Sequence, residues 1–308
     1  MRIIFMGTPE FAVASLAALL KAGENVVAVV TVADKPAGRG QKIQESAVKK
    51  FALSKGIPVL QPDKLKDPNF IQALAAYQAD LQVVVAFRML PEIIWNMPSK
   101  GTVNLHASLL PEYRGAAPIN HAIMNGEAET GVTTFLLQHQ IDTGNILLRE
   151  KVAIEANDTA GDLHDKLMLV GAELLVKTVQ LIKADEHREI PQATIANEQG
   201  LKHAPKIFKD DCKIQWNKPV EEVYNFIRGL SPYPTAFTTF QQKTLKIFAC
   251  RPLKELEPLK DEPGSTLTDG KHYLRFATQD GYIDVLELQL EGKKRMSMEE
   301  FLRGVRFD

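Results

Sequence analysis

Apolar positions in the first two-thirds of the chain alternate between two periods. Short, β-branched runs at residues 3–6, 26–32, 57–60, 81–87, 102–106 and 132–137 read as strands. Their near-continuous apolar character is that of strands covered on both faces. Between them apolar residues recur every three or four positions, as at Val13, Leu16, Leu19 and Leu20, which predicts helices. Thr8 is placed to cap this first helix, Pro9 to occupy its first position and Gly23 to stop it. Further helices are expected over 46–55, 70–78 and, longest, 159–183. Strand and helix in alternation predict an α/β domain, a doubly wound and mostly parallel Rossmann-like sheet. In such a sheet the ligand crevice lies beyond the carboxyl ends of the strands.

Past residue 185 the pattern changes. Residues 186–205 are polar and mixed, with Pro191 and Pro205, and read as a linker. Residues 206–308 show a helix over 220–228 and strands over 235–240, 244–249, 273–278 and 282–288, with turn residues between them. A small OB-like β-barrel is expected there, with Trp216, Phe226 and Tyr233 in its packing. The expected division is therefore 1–185, a linker over 186–205, and 206–308.

Composition narrows the class. The 308 residues carry a net charge of -1, with 45% hydrophobic and 24% charged residues, as in an ordinary globular protein. That balance argues against a polycation but leaves room for a local basic patch. The two cysteines, Cys212 and Cys250, form no C-x-x-C, so neither a disulfide framework nor a metal is expected, and a reducing cytoplasm fits. The histidines lack metal-site spacing. No apolar run approaches the ~20 residues of a membrane span, so no membrane partner is expected.

Candidate chemistry concentrates at Asn104-Leu105-His106. Residues two apart on a strand share a face, so the amide of Asn104 and the ring of His106 can enter one site. A neutral donor for a growing oxyanion beside a proton carrier is equipment for acyl transfer. Asp142 follows the strand over 132–137 and is a third candidate, although Asp142-Thr143-Gly144 is also ordinary turn chemistry. Gly7-Thr8-Pro9-Glu10 lacks the spacing of a dinucleotide fingerprint.

Several segments together carry a family likeness. They are Gly7-Thr8-Pro9-Glu10-Phe11-Ala12, Lys35-Pro36-Ala37-Gly38-Arg39-Gly40, Asn104-Leu105-His106-Ala107-Ser108-Leu109-Leu110-Pro111, Tyr113-Arg114-Gly115-Ala116-Ala117-Pro118-Ile119, Thr130-Gly131-Val132-Thr133-Thr134, Asp142-Thr143-Gly144 and Ser231-Pro232-Tyr233-Pro234. With them the chain resembles the formyltetrahydrofolate-dependent formyltransferases, and among these the methionyl-tRNA formyltransferases. The likeness runs over both domains.

The resemblance implies transfer of a formyl group from 10-formyltetrahydrofolate, a co-substrate rather than a bound cofactor, to the α-amino group of methionine on initiator tRNA. It implies catalytic roles for Asn104, His106 and Asp142, with Asp142 orienting His106. It implies folate contacts from Ser108, Leu109, Leu110 and Pro111 and from Arg88, Met89 and Leu90, and tRNA contacts from Arg39, Lys42 and Lys206. A cytoplasmic monomer is expected. Phe87-Arg88 departs from the Tyr-Gly usual in the family. A transferase acting on a small amine, such as a sugar nucleotide or glycinamide ribonucleotide, would use the same three residues. A non-catalytic RNA-binding protein is the alternative of a different class.

Overall fold

The computed structural model describes residues 1–37, 42–195, 201–255 and 259–304. They form two compact units. One comprises residues 1–114, 130–152 and 164–202, and the other residues 115–129, 153–163 and the chain from 203 onward.

In chain order the elements begin with β1 (Arg2–Gly7), α1 (Glu10–Lys21), β2 (Asn25–Val30) and a hairpin of β3 (Lys35–Ala37) and β4 (Lys42–Gln44). Next come α2 (Ala47–Ser54), β5 (Val59–Leu60), α3 (Pro68–Ala75), β6 (Leu81–Val85), the single turn α4 (Glu92–Trp95) and β7 (Thr102–His106). The two-residue β8 (Arg114–Gly115), α5 (Pro118–Met124), β9 (Glu129–Leu136), β10 (Ile146–Ala153) and α6 (Ala160–Lys183) follow.

A seven-stranded sheet in the order β10-β9-β7-β6-β1-β2-β5 organises the first unit. The pairs among β7, β6, β1, β2 and β5 are parallel, as expected of strands linked by helices. One face carries Ile4, Met6, Ala28, Val30 and Val84, packed on Phe70 and Leu74 of α3 and on Leu90 and Ile94. On the opposite face α6 approaches closely: a Cβ on Gly171 would lie 3.0 Å from Leu105, and Thr178 and Thr134 share a hydrogen bond of 2.8 Å.

Three readings of the sequence are corrected here. Pro9 is the N-cap of α1, not its first residue, and Thr8 makes no cap, its buried hydroxyl lacking a partner among the described residues. β9 runs antiparallel to β7. Consequently the segment that follows β9 leaves from the amino end of β7, Val103 lying opposite Leu136, and not from the carboxyl end. β10 was not anticipated.

The second unit contains β11 (His203–Ala204), α7 (Val220–Gly229), β12 (Ala236–Phe240), β13 (Lys243–Lys254), β14 (Thr266–Thr268), β15 (Leu274–Ala277), β16 (Gly281–Leu290), β17 (Met296–Ser297) and α8 (Met298–Gly304). Antiparallel pairing in the order β12-β13-β16-β15-β14, with β17 on β16, makes a curled half-barrel. Its core joins Val223 and Ile227 of α7, Leu245, Ile247, Phe276, Val285 and Phe301. Trp216 stacks on Phe276 at 4.6 Å, and Phe226 packs against the same core. Tyr233 does not share it: its side chain is exposed, since the Ser231–Pro234 corner turns outward between α7 and β12.

α5 belongs with this unit although it precedes residue 185. Asn120 donates to the Gly229 carbonyl at 2.7 Å, and Gly229 lets Met124 approach to where a Cβ would meet it at 2.6 Å. Arg228, buried on α7, donates to the Asp158 carbonyl at 2.8 Å and so holds residues 153–163 in the same unit.

Candidate active site

β7 presents Asn104 and His106 on the face that carries Val84, its neighbour in register on β6. Asn104 is half-buried, and its side-chain amide makes no hydrogen bond among the described residues. His106 is buried, and its Nε2 lies 2.9 Å from the Tyr113 carbonyl oxygen. A carbonyl only accepts, so Nε2 carries the hydrogen and Nδ1 is the nitrogen left for chemistry. Tyr113 stands at φ 58°. This left-handed conformation, uncommon for a bulky residue, aims its carbonyl back at the ring. The Tyr113 N–H is taken by the Lys202 carbonyl at 2.7 Å, which fixes the turn from its other side.

Between His106 and Tyr113 the chain is clamped by β9. Thr133, opposite His106 in the ladder, donates to the Ser108 carbonyl at 2.6 Å and accepts from the Leu110 N–H at 3.1 Å. Ser108 spends its hydroxyl on the Glu112 carbonyl at 2.6 Å. Leu110 is fully buried with Phe135 and Ile146, and Leu109 packs where Gly131 leaves space for it. The fold thus consumes the Ser108 and Leu110 side chains, leaving the main chain as what they offer a ligand. Pro111 is likewise buried.

The second expected folate segment starts at the carboxyl end of β6. Leu90 is buried in the core beneath it, and Met89 is 73% exposed. Arg88 folds back, donating to the carbonyls of Pro62 at 2.8 Å and Asp63 at 3.1 Å, with its guanidinium 5.3 Å from the Phe87 ring. This anchor uses the residue by which the chain departs from the family pattern.

Asp142 lies in the loop from β9 to β10. That loop runs back along the Asn104 face of the sheet: Leu137 joins the cluster of Leu90 and Ile94, and the His139 ring meets Trp95 edge-on at 5.3 Å. Asp142 itself sits at φ 54°, a conformation Asp tolerates better than most residues. Gly144 is dictated by packing, since a Cβ there would lie 1.6 Å from the Leu136 carbonyl oxygen. Gln192 donates to the carbonyls of both Asp142 and Gly144 at 2.8 Å. It falls in the stretch read as a linker, where Ile190 also exchanges two hydrogen bonds with Ile146 at the β10 edge.

Of the residues expected to meet tRNA, Arg39 lies outside the described residues. Lys42 opens β4, and its hairpin stands on a fixed base. There Lys49 and Gln61 both bond Asp34, which holds its carboxyl below the usual carboxylate range, and Thr31 bonds Ser46 at 2.8 Å. Lys206, in the second unit, is exposed with its ammonium 5.2 Å from the Phe208 ring.

Sequence reading missed Thr133, the Tyr113 carbonyl and Gln192. Thr133 lies inside a quoted motif, but its role depends on the antiparallel pairing of β9. A carbonyl contributes no side-chain signal, and Gln192 stands in a segment without periodicity.

Known proteins resemble the chain along its whole length. Residues 1–179 match the formyl transferase family, and residues 206–306 match the formyl transferase C-terminal domain. Methionyl-tRNA formyltransferase of Bacteroides fragilis is 54% identical over 309 residues, covering 99% of this chain and 95% of that protein. The enzyme of the same name from Porphyromonas gingivalis is 50% identical over equal shares. Among solved structures, HypX of Aquifex aeolicus in complex with tetrahydrofolic acid shares the fold at TM-score 0.67 and 18% identity, over 100% of this chain and 48% of that one. The sugar 3N-formyl transferase WlaRD does so at 0.67 and 22%, over 96% and 99%. The chain belongs to the formyl transferase family, among the methionyl-tRNA formyltransferases.

Proposed function

We propose that this protein transfers the formyl group of 10-formyltetrahydrofolate to the α-amino group of methionine on initiator tRNA, with Asn104, His106 and Asp142 as its chemical groups. The observation that carries the reading is the Asn104 amide, without a hydrogen bond among the described residues, two positions along β7 from a His106 ring whose Nε2 is already engaged. The amine is its own nucleophile, so no serine or cysteine is needed. Its lone pair attacks the formyl carbon, and the carbonyl pair moves onto oxygen. The Asn104 amide and Nδ1–H of the protonated His106 donate to that oxyanion. The new bond leaves the amine cationic. Asp142 takes its proton while His106 gives the Nδ1 proton to folate N10 as the carbon–N10 bond breaks, and the proton on Asp142 then restores His106. The products are formylmethionyl-tRNA and tetrahydrofolate.

The 87–90 segment and the main chain of 108–111 line the folate side in this reading. Arg39, Lys42 and Lys206 meet tRNA phosphates, contacts that position without reading sequence. The protein acts as a cytoplasmic monomer. Formyl transfer from 10-formyltetrahydrofolate to purified methionyl-initiator tRNA tests this, with methionyl-elongator tRNA and free methionine alongside. Selective formylation of the initiator supports the reading. Donor consumption with a sugar nucleotide or glycinamide ribonucleotide, and none with tRNA, overturns it.

A further inference from the structure

We propose that Gln192 is a positioning residue, fixing the Asp142 loop against the segment that orients His106. Gln192 is 3% exposed, on a 3-10 turn over Gln192–Thr194. All four of its side-chain valences are used. Its Oε1 accepts from Arg114 Nε at 3.0 Å and Nη2 at 2.5 Å. Its Nε2 donates to the carbonyls of Asp142 and Gly144 at 2.8 Å each. The orientation of the amide is unambiguous: a guanidinium only donates and a carbonyl only accepts, so no other side chain of this length serves both. Arg114 directly follows Tyr113, whose carbonyl holds the His106 ring.

Thirty-six positions separate His106 from Asp142 in sequence, and they depart from opposite ends of the β7–β9 ladder. The amide of Gln192 links the Arg114 guanidinium, one residue past Tyr113, to the main chain of the Asp142 loop, entering from a third part of the chain. A misplacement of about 1 Å between reacting groups costs about 100-fold in rate, so this link bears on turnover. The inference rests on the roles proposed above for His106 and Asp142.

A double-mutant cycle tests it in the full-length protein. Gln192→Met keeps the length and removes all four bonds, whereas Gln192→Glu keeps the acceptors facing Arg114 and removes both donors. Each is combined with Asp142→Asn, and single-turnover formyl transfer is measured beside KM for tRNA and for folate. A residue acting through Asp142 lowers kcat about 10- to 100-fold with tRNA KM within about threefold. It does so equally for Met and Glu, and costs little more once Asp142 is already Asn. Full additivity of the two changes, or a Gln192→Glu protein as active as the wild type, overturns the inference. Circular dichroism separates an unfolded variant, and in that event Arg114→Lys, which weakens only one side of the link, repeats the cycle. A wild-type protein that formylates no tRNA overturns instead the functional reading on which the inference stands.

Discussion

His106 Nε2 and the Tyr113 carbonyl oxygen stand 2.9 Å apart, and this one hydrogen bond places the ring hydrogen on Nε2 and leaves Nδ1 outside it. The amide nitrogen of a glutamine mimics Nε2, and that of an asparagine mimics Nδ1. His106→Gln therefore retains the bond to Tyr113 and keeps the melting temperature within a few degrees, while losing the proton carrier. Turnover should fall about 100-fold or more. Calorimetry beside a rate assay checks both, and a glutamine variant of near-normal rate contradicts the role of Nδ1.

Thr133 holds the 108–110 turn through one hydroxyl that donates and accepts at once. Thr133→Val is nearly isosteric but strands the buried Leu110 N–H and the Ser108 carbonyl. Each unsatisfied buried group costs about 1–3 kcal/mol. A lower urea midpoint with unchanged m-value is expected, together with weaker folate binding.

Gly144 has no room for a side chain, because Leu136 O occupies the place of its Cβ. Gly144→Ala must push the β9–β10 loop outward and should destabilise by about 2–4 kcal/mol. Asp142 is displaced with the loop, so activity falls further than stability alone accounts for. Thermal unfolding and single-turnover rates on the same preparation distinguish the two effects.

Burial pushes the thiols of Cys212 and Cys250 upward, and nearby carboxylates add to it. A raised thiol pKa leaves less of the reactive thiolate at any given pH. Ellman's reagent at pH 8 should label neither cysteine rapidly in the native protein and both in guanidinium. Rapid stoichiometric labelling of the folded chain would contradict this placement.

Where side-chain pattern decides structure, the sequence was legible. β7 spans 102–106 as expected, because Thr102, Val103 and Leu105 are β-branched or apolar and the strand sits between Gly101 and the Ala107-Ser108 step. The parallel core of the sheet followed from strand–helix alternation. The direction of β9 was not legible, since a helix lies between it and β7 in either topology. β10 escaped notice because Arg149, Glu150 and Lys151 interrupt its apolar pattern. Such charges are common on an edge strand, and β10 is the edge of this sheet. At the site, Asn104 and His106 were legible as strand neighbours. What holds the His106 ring and the Asp142 loop was not, because a carbonyl at Tyr113 and an amide from residue 192 act through tertiary contact alone.

The most direct measurement is the single-turnover rate of formyl transfer to methionyl-initiator tRNA by Asn104→Ala beside the wild type, at saturating folate. Loss of one oxyanion donor should slow transfer about 100- to 1,000-fold with the affinities for tRNA and folate retained. A variant that transfers formyl at close to the wild-type rate would contradict the assignment of the Asn104 amide to the oxyanion, and with it the account of this site.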